Sequence, residues 1–87
     1  MNLIDLEYKS IYRSMSKEEF LVKDSEGNSW WIEVQESPEN SGDWQAFVYN
    51  NKRECRKTKI GRYRDLIIQT AVDILETWWK EIKSVQV

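Results

Sequence analysis

An α+β fold is what this sequence predicts: an antiparallel meander of three or four strands, a short N-terminal helix, and a long C-terminal helix packed on one face. Three observations carry the prediction. Segments around Trp30 and Trp44 alternate apolar and polar residues as half-buried strands do. After Gly61 the apolar residues fall at helical spacing over about 20 residues. Between the apolar segments lie short clusters of Asp, Asn, Ser and Gly that read as turns.

Taken in order, residues 2–15 place Ile4, Tyr8, Ile11, Tyr12 and Met15 on one helical face, so a short first helix is expected. Phe20, Leu21 and Val22 precede the turn-rich Asp24-Ser25-Glu26-Gly27-Asn28 and read as one arm of a hairpin. Trp30, Ile32 and Val34 should face the core, with Trp31, Glu33 and Gln35 pointing the other way. Residues 36–42 hold the only proline and should be a surface loop. Trp44, Ala46 and Val48 should join the Trp30 face, leaving Gln45, Phe47 and Tyr49 opposite. Asn50 and Asn51 tolerate a tight turn, and residues 53–60 can return as a fourth, edge strand. In the last segment Ile67, Ile68, Ala71, Val72, Ile74, Leu75, Trp78, Trp79 and Ile82 cover a broad helical face. Asp65 near its start and Lys80 and Lys83 near its end suit the helix dipole.

With 87 residues the chain is expected to form a single domain around one tryptophan-rich core. One cysteine cannot make an internal disulfide, and the first residues carry no signal-like pattern, so a reducing cytoplasmic location is expected. No apolar stretch approaches the roughly 20 residues of a membrane span.

Charge is segregated along the chain. Residues 52–64 hold seven basic residues, Lys52, Arg53, Arg56, Lys57, Lys59, Arg62 and Arg64, against Glu54 alone. Residues 18–43 hold eight carboxylates, among them Glu33, Glu36, Glu39 and Asp43, against Lys23 alone. Such separation bears on partner choice and encounter rate more than on fold.

The chemistry is chiefly one of absences. Without histidine and with a single cysteine, the common nucleophilic triads and most zinc sites are excluded. The glycines stand alone and form no phosphate cradle, and the acidic loop lacks a calcium-binding pattern. Carboxylates such as Glu18, Glu19, Glu33 and Glu36 read as solvated strand and loop residues, and Cys55, though set among cations, reads as a small strand residue. No enzyme activity, cofactor or metal is expected.

Binding is the remaining expectation. Trp31, Phe47 and Tyr49 on the second sheet face, with Trp79 at the overhanging helix end, are the candidate anchors for a protein partner, as in a small regulator or inhibitor. A sheet covered on both sides would make those rings core, and that is the expectation in the absence of a partner. The basic segment 52–64, running into a helix N-terminus, offers nucleic-acid binding as the alternative. A homodimer joining the basic run to the acidic run of a second copy is a third possibility.

The order helix, three strands, helix, with Lys57, Lys59, Arg62 and Arg64 before the last helix, is similar to the layout of double-stranded RNA-binding domains. In that family a basic, alanine-rich segment opens the last helix and grips phosphates. The resemblance is one of layout: Ile67, Ile68 and Gln69 stand where that family has small residues, and its Gly-Pro-x-His loop is absent here.

Overall fold

The computed structural model describes residues 7–85. Five strands, β1 (Glu7–Arg13), β2 (Lys17–Lys23), β3 (Ser29–Glu36), β4 (Trp44–Tyr49) and β5 (Cys55–Lys57), form an antiparallel sheet in sequence order, followed by helix α1 (Arg64–Val85). The α+β class, the meander and the long C-terminal helix agree with the sequence-based expectation. Two features correct it. There are five strands instead of three or four, and residues 7–13 are a strand where a short helix was expected. The rest of that expected helix, residues 2–6, lies outside the described residues. With a strand in first position, the layout likeness to double-stranded RNA-binding domains no longer holds.

The misleading spacing at the start of the chain has a physical cause. β1 pairs with β2 through Tyr8↔Val22 and Ser10↔Phe20, then slips by one residue so that Tyr12 stands opposite Glu19 and Arg13 opposite Glu18. This bulge inserts one residue between Ser10 and Tyr12 and breaks the period of two. Tyr8, Ile11, Tyr12 and Met15 then fall at intervals of three, one and three, which imitates a helix. Every residue of β1 is exposed, so no buried stripe distinguishes the alternatives.

The core lies between α1 and one face of the sheet. Val22, Trp30, Ile32, Val34, Ala46 and Val48 bury against Ile67, Ala71, Leu75, Trp78 and Trp79, and these eleven residues form one cluster. The expected facing of β3 and β4 is therefore correct, with Trp44 half-buried at its margin. α1 packs chiefly along β4 and β3. Its 22 residues span about 33 Å, well beyond either strand. At its C-terminal end Trp78 meets Trp30 edge-on, with centroids 5.5 Å apart, and takes the Arg56 guanidinium over its ring at 4.4 Å. Arg56 also pairs with Glu81 at 2.8 Å.

Two turns at that end have the same construction. In each, the first side chain, Asp24 or Asn50, accepts hydrogen bonds from the backbone N–H groups two and four residues on, Glu26 and Asn28 or Lys52 and Glu54. In each, the fourth residue adopts a positive φ, 80° at Gly27 and 63° at Arg53. Glycine accepts that conformation freely, whereas an arginine pays about 1–2 kcal/mol for its Cβ. Arg53→Gly is accordingly expected to stabilise the fold by about 0.5 kcal/mol after the added flexibility of the unfolded chain is deducted. Denaturant unfolding of the two proteins checks this, and a loss of stability would mean that the Arg53 side chain makes a stabilising contact.

The expected edge strand over 53–60 is only three residues long. Its start is consumed by the Asn50 turn. Its end is cut where the Thr58 hydroxyl, not a carbonyl, accepts from the Ala46 N–H at 3.0 Å and donates to the Lys59 carbonyl. The chain rejoins β4 once more through Gly61, which exchanges both backbone hydrogen bonds with Trp44 before α1 begins.

Candidate functional site

No element among the described residues covers the face of the sheet opposite α1. Alternation and register fix what it displays. One row across the strands carries Lys9, Leu21, Trp31, Tyr49 and Cys55, and the next carries Tyr12, Glu19, Glu33, Phe47 and Lys57. Gln35 and Gln45 stand side by side beyond them, next to Lys17. Trp31, Phe47 and Tyr49 are thus neighbours on an open surface, half-buried only by one another and by the side chains around them. This corrects the expectation that the rings are core.

A shallow depression of about 320 Å³ lies on this face, lined by Glu19, Trp31, Glu33, Tyr49 and Arg53. Glu19 and Glu33 are direct cross-strand partners, an arrangement that destabilises a sheet unless a cation intervenes. Lys17 does so, with its ammonium 3.1 Å from Glu19 and 3.8 Å from Glu33 and 5.8 Å from the centre of the Tyr12 ring. The hydrogen bond to Glu19, followed by the charge of Glu33, raises the Lys17 pKa above its ordinary value. At the other side, burial first, then the neighbouring Cys55 thiol and Glu33 carboxylate, raise the Tyr49 hydroxyl. It remains a protonated hydrogen-bond donor at neutral pH.

Trp79, the fourth candidate anchor, lies elsewhere. It is 8% exposed in the core beneath α1, with Lys83 over its ring at 5.7 Å and its indole N–H without a partner among the described residues. The helix overhang that was expected to free it is closed by the Asp24 turn, to which Lys83 is tied through Glu26.

The two charge runs, separate in sequence, meet in space where the segment leading into α1 approaches β2 and the β3–β4 loop. Arg64 pairs with buried Glu18 and lies over the Trp44 ring at 5.6 Å. Ser10 donates to the same carboxylate at 2.9 Å. Burial works against the charge of Glu18, yet the bonds from Ser10 and Arg64 and the charge of Arg13 leave its pKa below the usual carboxylate range. Arg62 shares a depression with Glu39 and Asp43 of the β3–β4 loop. Glu36 ties that loop, accepting from the Gly42 backbone N–H at 3.1 Å and the Ser41 hydroxyl at 3.3 Å. Lys57 borders the open face, Lys52 sits in the Asn50 turn, and Lys59 is exposed between β5 and α1. The seven basic residues therefore do not converge on one surface.

Sequence reasoning missed Tyr12, Lys17, Glu19 and Leu21 as members of the open face. The signal for β2 was present in the alternation of Lys17, Glu19 and Leu21. The signal for Tyr12 was hidden by the bulge. No helix among the described residues is long and apolar enough to cross a membrane. No family model, no curated protein and no solved structure matches this chain.

Proposed function

We propose that this chain is a non-enzymatic protein-binding module that docks its partner on the open face of the sheet. The observation that carries the reading is the adjacency of Trp31, Phe47 and Tyr49 on a surface that nothing among the described residues covers. Large rings of this kind supply most of the binding energy at protein interfaces, and a contiguous aromatic patch on a small domain marks an interaction site.

The same face argues against a nucleic-acid strand. Glu19 and Glu33 sit in the middle of the aromatic rows, where they would repel phosphates. Arg56 and Arg64 of the basic segment are turned to the helix side and engaged in ion pairs there.

The test begins with a partner isolated from the source organism by cross-linking and its affinity measured by calorimetry. Trp31→Ala and Tyr49→Ala, each confirmed as folded by circular dichroism, are expected to weaken that affinity by about 30-fold or more, as interface anchors do. Unchanged affinity in both variants would remove the open face from the interface. Salt-steep binding of single- or double-stranded RNA, abolished by Lys52→Glu/Lys57→Glu, would transfer the function to the nucleic-acid reading instead.

A further inference from the structure

Charge on the open face is uneven, and the excess is positive. Lys9, Lys17, Arg53 and Lys57 stand there against Glu19 and Glu33, while Glu7 and Lys23, cross-strand partners at the far end, cancel. A chain of net charge −2 thus presents a face with a formal excess of positive charge. Lys17 answers both carboxylates at the centre. Lys9, Arg53 and Lys57 make no ion pair within 4.0 Å among the described residues. Lys9 belongs to β1 and Lys57 to β5, the two outer strands, so these cations bound the sheet on opposite sides about 19 Å apart. Leu21, Trp31, Phe47 and Tyr49 lie between them. An apolar centre within a charged rim is the layout of a protein interface.

Arg53 adds an observation of another kind. It occupies the positive-φ position that glycine fills in the twin turn, with φ 63° against 80° at Gly27. Its side chain lines the depression beside Trp31 and Tyr49. No ion pair within the described residues offsets the strain of an arginine there. Uncompensated backbone strain of this sort collects at binding and catalytic sites.

We propose that the open face receives an acidic surface of the partner protein, whose carboxylates meet Lys9, Arg53 and Lys57 while its apolar centre covers Trp31, Phe47 and Tyr49. This rests on the open face being the docking surface. The centre of the face favours a protein over a nucleic acid. A phosphate backbone carries a charge at every nucleotide, so a strand crossing from one rim to the other must pass Glu19 and Glu33. A protein can set its carboxylates at the rim alone. Exposed rim charges of this kind steer encounter and are screened by salt.

The test uses the full chain labelled with nitrogen-15, titrated with the capped hexapeptide Glu-Glu-Leu-Leu-Glu-Glu and with its counterpart carrying Gln for Glu. Each spans about 20 Å when extended, enough to reach both rims. The glutamate peptide is expected to shift the Trp31 indole and Tyr49 amide resonances. It should bind roughly tenfold more tightly than the glutamine peptide at low ionic strength, a margin that about 0.5 M salt removes. Arg53→Gly should weaken the glutamate peptide about threefold in a protein at least as stable as the wild type, and Lys9→Glu/Lys57→Glu should weaken it about tenfold or more. Lys52→Glu/Lys80→Glu makes the same charge change at exposed positions on the helix side and should alter it less than about twofold. Thermal melts of all variants keep loss of folding apart from loss of binding. Equal or undetectable affinity for the two peptides would overturn the acidic-partner site, as would tighter binding of an oligothymidylate than of the glutamate peptide. Loss of partner affinity in Trp31→Ala would then still support the protein-binding reading, so the two proposals fail separately.

Discussion

Leu75→Ala is expected to lower the unfolding free energy by about 3–4 kcal/mol, the cost of a leucine truncated in a core that cannot collapse around the cavity. Leu75 is wholly inaccessible and sits at the middle of the α1 face that meets Trp30, Ile32 and Val48. For a domain of this size total stability is about 4–13 kcal/mol, so the loss is a large fraction of it. The melting temperature should fall by roughly 15–25 °C. Leu66→Ala is the matched control, since Leu66 lies on the same helix but is 62% exposed. It should change stability by no more than about 0.5 kcal/mol. Urea unfolding of both variants checks the pair. Comparable losses would mean that α1 is held by its own helicity and not by packing on the sheet.

Asp24→Asn is expected to cost about 2–3 kcal/mol despite conserving shape. The Asp24 carboxylate is 6% exposed and accepts from three donors. One oxygen takes the backbone N–H groups of Glu26 and Asn28 at 2.9 and 3.0 Å, and the other takes the Trp30 indole N–H at 3.1 Å. An amide keeps the first oxygen but turns its own N–H groups toward the indole N–H, leaving buried donors unpaired. The twin turn shows why asparagine serves at position 50. There the amide nitrogen meets an acceptor, Glu54, at 2.9 Å.

The same residue predicts a pH dependence. Burial opposes the charge of Asp24, but the hydrogen bond from Trp30 and those from the Asn28 and Glu26 backbone hold its pKa below the ordinary value, as at Glu18. A depressed folded-state pKa contributes stability that is fully present above the unfolded-state value and is lost as pH falls through the folded one. Wild-type stability should therefore decline from about pH 4 downward, and Asp24→Asn should show a shallower decline because one of the two groups is gone. Chemical unfolding at a series of pH values reads both slopes. Parallel slopes would mean that Asp24 titrates alike in the folded and unfolded chains.

How much of the candidate site is legible without coordinates follows from which residues carry a periodic signal. Trp31, Phe47 and Tyr49 could be placed on one face because β3 and β4 alternate without interruption. Trp79 could not be judged as an anchor from its place on the helix wheel. Its burial depends on where the Asp24 turn, 55 residues earlier in the chain, folds over the helix end. The charge runs present the same difficulty in another form. Arg64 and Glu18 are 46 positions apart and became partners only when β2 was laid beside the start of α1.

The sequence by itself determined the meander, the long C-terminal helix and the inward facing of Trp30, Ile32, Val34, Ala46 and Val48, because hydrophobic periodicity is a local property that burial on one face imposes. Tertiary structure alone decided that β1 is a strand, since its bulge disguises the period and its exposure removes the buried stripe that would betray it. It also decided that one sheet face is open and that Glu19 and Glu33 meet among aromatic rings there. Cross-strand register and the number of layers over a sheet are fixed by the assembly of all the elements, and no single stretch of the chain encodes them.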